Sequence, residues 1–370
     1  MRDPSSVELV CLVLTGAQRD AARRLEAAHD GVVLAMLPGG DLASPSSSGI
    51  AAAHIPAVTP SLIVRTCRAL RAHVRRSDRR VVLVVAQDVG VFERAVIAQA
   101  RRSDAGTVLL PDGIVTSERF VGSGLRTAAI DVVDRGLAVV GLLAGRRAAM
   151  GSSRPDLCLS WGPGWRPVWD ASRVATADVG APRLDGLGVL PAGTGGLLVC
   201  SQPTWLREYG GEPSAAAWYG WIDALAASPQ SRGSIRVRLH PVERDRHALS
   251  RLSPAARTVV SDSADLADDL RWSMAVVAPP STVLVEAILT GRPAVCVAAT
   301  PSIAALASTY PVFGNAGIPI VGTADVRDVG DVESFASLDR AALQSRFACN
   351  LGRATEAALE AIVDRFGTES

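Results

Sequence analysis

The sequence predicts an α/β protein made of two doubly wound parallel-sheet domains, on three observations. Short apolar runs alternate with helix-spaced segments along most of the chain, a rhythm that implies parallel strands with helices on both faces. The length of 370 residues suits two domains of ordinary size. A stretch rich in Gly, Pro and Trp, 151–196, breaks the rhythm and separates two such series.

In the first series, Val7–Leu14 is strand-like and Ala17–Ala28 has helical spacing with arginines on one face. Gly31–Leu37 reads as a second strand, and the Pro/Ser/Gly-rich segment Pro38 to Ser48 as a loop. Pro60 to Arg76 is helical, Val81–Ala86 is a strand, and Asp88 stands near the start of a helix running to Arg101, where it reads as a helix cap. Gly106–Leu110 is the next strand, and Ser123 to Ala149 is largely helical. The second series places strands at Leu197–Cys200, Ile235–Leu239, Thr258–Val260, Ala275–Val277 and Ala294–Val297 and ends near Gly322. A last helix, Asp339 to Phe366, is expected to pack back on the first domain. The expected organisation is therefore a first domain 1–150, a connection 151–196, a second domain 197–338 and a terminal helix 339–370.

Composition excludes several functions. An apolar fraction of 48% is ample for two cores, and the net charge of +1 gives no global field toward nucleic acid. The chain contains no lysine, which rules out Schiff-base, Walker-A and kinase-type lysine chemistry. Cysteines 11, 67, 158, 200, 296 and 349 are widely spaced with no C-x-x-C pair, so a reduced, cytoplasmic protein without a structural metal is expected. No apolar run approaches the length that spans a bilayer, and Val7–Leu14 reads as a buried strand and not as a signal peptide. Peripheral membrane or export-complex association is left open.

Two motifs carry chemistry in the second series. Pro241 cannot donate to a sheet ladder, so it ends the strand Ile235–Leu239 and leaves His240 at the carboxyl edge. Alternation turns Arg238 to the face opposite Leu239, and His247 reads as surface. The segment Pro280 to Pro293 passes from a strand into a helix starting at Ser281-Thr282 and stopped by Gly291 and Pro293. A helix start favours an anion, and Ser281 or Thr282 can add a hydroxyl donor. Glu286, four residues past Thr282, shares its helix face and suits ribose hydroxyls. The plain alternative is that Ser281 only caps the helix. Ser201-Gln202 and Thr15-Gly16 follow the first strand of each series, where nucleotide and acceptor contacts or simple turns are both expected.

Trp161, Trp165 and Trp169 form an irregular aromatic segment, read as interdomain packing or as a stacking surface for a sugar acceptor. The arginines of 65–80 read as a solvated face, with an acidic polymer or anionic lipid as the alternative.

His240-Pro241 with Ser281-Thr282 resembles the HP and Ser-Ser/Thr motifs of bacterial sialyltransferases and polysialyltransferases. Those families carry a third motif, two acids and a glycine, in the N-terminal domain; here Leu110-Pro111-Asp112-Gly113 stands in that place. Asp265 through Pro293 also resembles CDP-glycerol glycerophosphotransferases and capsule-polymer transferases. The resemblance implies a GT-B-like fold, two Rossmann-like domains with an interdomain cleft. It further implies an inverting, metal-independent and cofactor-free glycosyltransferase. The donor would be a CMP-linked sugar such as sialic acid and the acceptor a glycan or other hydroxyl compound. It makes Asp112 the base, Gly113 its acceptor-side neighbour, and His240, Pro241, Ser281 and Thr282 the phosphate contacts. Pro111 stands where the family has its first acid, so the base is Asp112, is displaced to Glu118, or is missing. The alternatives are a CDP-glycerol-type transferase and a non-catalytic nucleotide-binding protein of the same fold.

Overall fold

The computed structural model describes residues 3–46, 59–115, 125–145, 150–170, 172–203, 211–229, 234–244, 248–263, 265–314, 317–336 and 339–367. It divides into two compact units, 1–186 with 346–370, and 187–345.

The first unit is built on β1 (Val7–Leu12), β2 (Val32–Met36), β3 (Leu42–Ala43), β4 (Arg80–Val85), β5 (Gly106–Leu109), β6 (Leu157–Ser160) and β7 (Thr176–Asp178). Their order is β3-β2-β1-β4-β5-β6-β7, all parallel except β3, which runs antiparallel to β2. Every residue of β1 is buried, as expected for a central parallel strand covered on both faces. One face packs with Ala22 and Leu25 of the helix Gly16–Ala28 and with Ala358, Leu359 and Ile362 of the helix Ala354–Phe366.

The second unit contains β8 (Leu197–Cys200), β9 (Ile235–Arg238), β10 (Ala275–Ala278), β11 (Ala294–Ala298) and β12 (Ile320–Gly322), all parallel in the order β12-β11-β10-β8-β9. Leu197 is in register with both Ile235 and Ala275. Ile235 and Val237 enter a core with Trp218, Tyr219 and Ile222 of the helix Gly211–Ala227.

Both sheets reverse direction beside their first strand: β1 lies between β2 and β4, and β8 between β9 and β10. At such a switch point the loops leaving neighbouring strands diverge and open a crevice at the carboxyl edge, the usual ligand site of a doubly wound sheet.

Four readings from sequence are corrected. The stretch 151–196 has the composition of a connection, yet it supplies β6 and β7 to the first sheet; strands of four and three residues are too short to show a period through Gly, Pro and Trp. Thr258–Val260 forms only a single bridge, Val260 to Val237. The last helix is two, Arg340–Phe347 and Ala354–Phe366, separated where Asn350 and Gly352 take positive φ. Trp161, Trp165 and Trp169 are at most 2% exposed. The indoles of Trp161 and Trp165 donate to the carbonyls of Pro111 and Phe347 at 2.9 and 3.0 Å, all within the first unit. Their rings build that core and are not a stacking surface.

Candidate functional site

The carboxyl edge of the first sheet gathers Thr15, Gln18 and Asp112. Thr15 caps the helix Gly16–Ala28, its hydroxyl oxygen accepting from Gln18 N at 3.2 Å. The same hydroxyl donates toward Asp112 Oδ2 at 3.4 Å, and Gln18 Nε2 donates to that oxygen at 3.1 Å. Gln18 is aimed by its other end, where Leu14 N donates to Oε1 at 2.6 Å. Among the described residues no donor reaches the second carboxylate oxygen, Oδ1. The Asp112 carboxylate is thus oriented through Oδ2 at the strand end. Behind it the Trp161 indole holds the Pro111 carbonyl, which fixes the turn that Pro111, Asp112 and Gly113 make.

Sequence reasoning missed Gln18 and a neighbouring acid, Glu93, which is 5% exposed and accepts from Gln87 Nε2 at 2.6 Å. Burial pushes its carboxyl above the ordinary range, and the negative Asp88 and Asp112 add to the shift. Gly90 stands against this carboxylate where any side chain would collide with it. The spacing Gly90-x-x-Glu93 at a helix start was the available signal. Asp88 is not the cap expected of it: Gly90 occupies that position. Asp88 is instead fully buried and accepts from Gly151 N and Ser153 N, each at 2.9 Å, and from Ser153 Oγ at 2.5 Å.

In the second unit, Leu239 turns into the core while Arg236 and Arg238 take the other face, both paired with buried Asp269 at 3.2 and 2.7 Å. His240 follows, half-buried, at the edge. Its N–H donates to Glu243 Oε2 at 3.0 Å, and Glu243 N donates back to the His240 carbonyl at 2.8 Å. Glu243, 2% exposed, also accepts at Oε1 from Ser201 Oγ (2.9 Å) and Tyr219 OH (2.8 Å). Trp218 Nε1 donates to Ser201 Oγ at 3.0 Å. Ser201 therefore turns its hydroxyl into a buried network that ties the loop after β8 to the loop after β9; Gln202 beside it is half-buried. Burial raises the Glu243 carboxyl, opposed by these hydrogen bonds. The sequence signal was a glutamate two residues after His240-Pro241.

Ser281 is the N-cap of the helix Thr282–Leu289, its Oγ accepting from Val283 N at 3.4 Å. That bond uses the oxygen as acceptor and leaves the hydroxyl proton for another partner. Thr282 and Glu286 are half-buried, while Val283, Leu284 and Val285 are buried. Gly291, at φ +86°, ends the segment as expected. The loops after β8 and β10 flank the switch point, so Gln202 and Ser281-Thr282 border the crevice, with His240 one strand further along. A further hydroxyl group lies past β11, where Thr300 Oγ1 is 2.9 Å from both Ser214 Oγ and Ser302 Oγ. This edge offers an imidazole, hydroxyls and a helix start, all suited to an anion.

Glu118 and His247 lie outside the described residues. Among the described residues no group of three or more His, Cys, Asp or Glu is arranged to hold a metal ion, and no helix is long and apolar enough to cross a membrane.

No family model and no curated protein matches the sequence. Solved structures similar in fold include the Wall Teichoic Acid Polymerase TagF (TM-score 0.54, 11% identity, covering 99% of this chain and 90% of that one). The glycosyltransferase SnogD from Streptomyces nogalater matches at TM-score 0.48 and 13% identity, over 97% of this chain and 99% of that one. At 11% identity the likeness to TagF speaks for the fold, the α/β architecture of Rossmann-like parallel sheets found in GT-B glycosyltransferases.

Proposed function

We propose that this chain is a GT-B-type transferase that takes a cytidine-nucleotide-activated donor, in the first instance a CMP-linked sugar such as sialic acid. The observation that carries the reading is the carboxyl edge of the second sheet, where the Ser281-Thr282 helix start borders the switch-point crevice and His240 stands one strand further along. In this scheme the donor phosphate lies on that helix start, with His240 donating to a phosphate oxygen and Glu286 near the ribose. Asp112, on the first unit, is assigned the role of base toward the acceptor hydroxyl. The acceptor oxygen forms its bond to the sugar carbon as the bond from that carbon to the phosphate oxygen breaks, inverting the centre. The electron pair leaves on the phosphate, where fixed donors stabilise it without a metal.

One observation favours a second reading of the donor. TagF is a wall teichoic acid polymerase, and one of its structures followed a CDPG soak, with a TM-score of 0.54 to this chain. With a CDP-glycerol donor, His240 would meet the transferred phosphate. On either reading the enzyme is assigned to the cytoplasm.

Turnover separates the possibilities. Release of CMP from CMP-sialic acid is expected, and Asp112→Asn should slow it about 10²–10⁴-fold, as for loss of a general base. Transfer from CDP-glycerol alone would select the second donor. Nucleotide binding with no turnover of either donor would make the chain a nucleotide-binding protein and overturn the enzymatic reading.

A further inference from the structure

We propose that Gln18 is a positioning residue of the first unit, one that assigns the proton-accepting role to Asp112 and the proton-holding role to the neighbouring acid Glu93. The inference rests on the reading of Asp112 as the base. The two acids follow neighbouring strands, because β4 and β5 pair in parallel with Val85 opposite Leu109, and Glu93 and Asp112 come next along the chain after each. The negative charge of Asp112 is felt at Glu93. Two carboxyls that feel each other do not both ionise freely, so the hydrogen bonds around them decide which one keeps a proton.

Those bonds differ in kind. The Leu14 N–H can only donate, and it donates to Gln18 Oε1 at 2.6 Å, which locks the amide with Nε2 turned to Asp112 Oδ2, 3.1 Å away. Thr15 repeats the logic more weakly: its oxygen accepts from Gln18 N at 3.2 Å, and its proton points toward the same Oδ2 at 3.4 Å. Gln18 is 6% exposed, which shields the bond from competing water. A donor that cannot reverse favours a carboxylate beside it over a carboxylic acid. Glu93 has a different partner. Gln87 Nε2 donates to its Oε1 at 2.6 Å, and among the described residues no bond fixes the other end of the Gln87 amide. That amide can turn over and accept from a protonated Glu93. Burial of Glu93 favours its neutral form as well. The other charged groups at the starts of the helices Gly16–Ala28 and Val91–Arg102 and on the loop after β4 have partners of their own. Arg19 pairs with Asp20 at 3.9 Å, Arg94 with Asp134 at 2.7 Å, and Asp88 accepts from Gly151 N and Ser153 N. An amide locked beside one acid, and an amide able to turn beside the other, divide a single proton between them.

The test follows the carboxyl carbons of isotope-labelled Asp and Glu by NMR across pH, in the full chain without nucleotide, with Asp112→Asn and Glu93→Gln identifying the two signals. Asp112 is expected to release its proton at lower pH than Glu93. Gln18→Met keeps the length of the side chain and offers no donor. It should raise the pH at which Asp112 ionises by about one unit, the worth of one hydrogen bond to a charged group. In turnover of CMP-sialic acid the same variant should move the acid limb of the kcat profile upward, with kcat about tenfold lower on that limb and the donor KM unchanged. A residue that only fastened β1 to its helix would leave the limb in place. Where Gln18→Met does not keep the wild-type circular dichroism, Gln18→Glu replaces it: that side chain still accepts from Leu14 N but sets a third carboxyl against Asp112, and should move the limb further. A reversed order of ionisation in the wild type, or Gln18 variants in which Asp112 titrates as before, would overturn the proposal. The NMR titration needs no turnover. The predicted order of ionisation in a chain that turns over neither donor would therefore overturn the transferase reading and leave the division of the proton standing.

Discussion

Glu243 takes hydrogen bonds from the Ser201 and Tyr219 hydroxyls and from the His240 N–H while 2% exposed, so the placement of His240 depends on it. Its carboxyl is raised by burial, and the folded chain therefore keeps a proton at pH values where the unfolded chain has released it. In that window the folded state binds more protons, so stability falls as pH rises from the ordinary glutamate range, ~4.3, through the raised value. Glu243→Gln removes the titrating group. Thermal midpoints across that window should then vary less with pH than in the wild type, above a uniform loss of roughly 1–3 kcal/mol from the disturbed hydrogen bonds. A profile parallel to the wild type would contradict the assignment. His240 was legible in the sequence because Pro241 must end a strand. Glu243 was not, since the Tyr219 and Ser201 that bury it lie 24 and 42 residues away. Gln18 escaped notice similarly, its target Asp112 being 94 residues on.

At the scale of elements, the helix start at Ser281 has two readings, cap and phosphate contact, and one substitution divides them. Ser281 has extended backbone angles, φ −151° and ψ 146°, which glycine also adopts, and glycine in place of serine at an N-cap costs only a few tenths of a kcal/mol. Ser281→Gly should therefore leave the thermal midpoint nearly unchanged while CMP affinity falls about tenfold, one lost charge-assisted hydrogen bond. Unchanged affinity would leave Ser281 as a cap alone. The long apolar runs that became β1, β4, β8 and β11 were readable because strands buried on both faces need no polar alternation. β6 and β7 were hidden by brevity and by the tryptophans around them. The helix Leu125–Val139 was legible only as a helix; that Asp134 is the residue it buries among 132–139 was not.

For the whole molecule, the strand rhythm disclosed two parallel sheets, and each repeats the same device, a first strand flanked by the second on one side and a later strand on the other. That arrangement follows from local runs and right-handed crossovers, which is why the fold class could be read from one sequence. The unit boundary could not, because Leu157–Ser160 and Thr176–Asp178 join the first sheet through pairings that composition does not show. The central claim is that the carboxyl edge of the second sheet binds the phosphate of a cytidine nucleotide. Calorimetric titration of the wild type, His240→Ala and Asp112→Ala with CMP and CDP tests it most directly. The account predicts that at least one nucleotide binds the wild type, that His240→Ala weakens it about 10–100-fold, the range of a charge-assisted hydrogen bond, and that Asp112→Ala leaves it unchanged. No binding of either nucleotide, or equal binding by His240→Ala, would contradict the account.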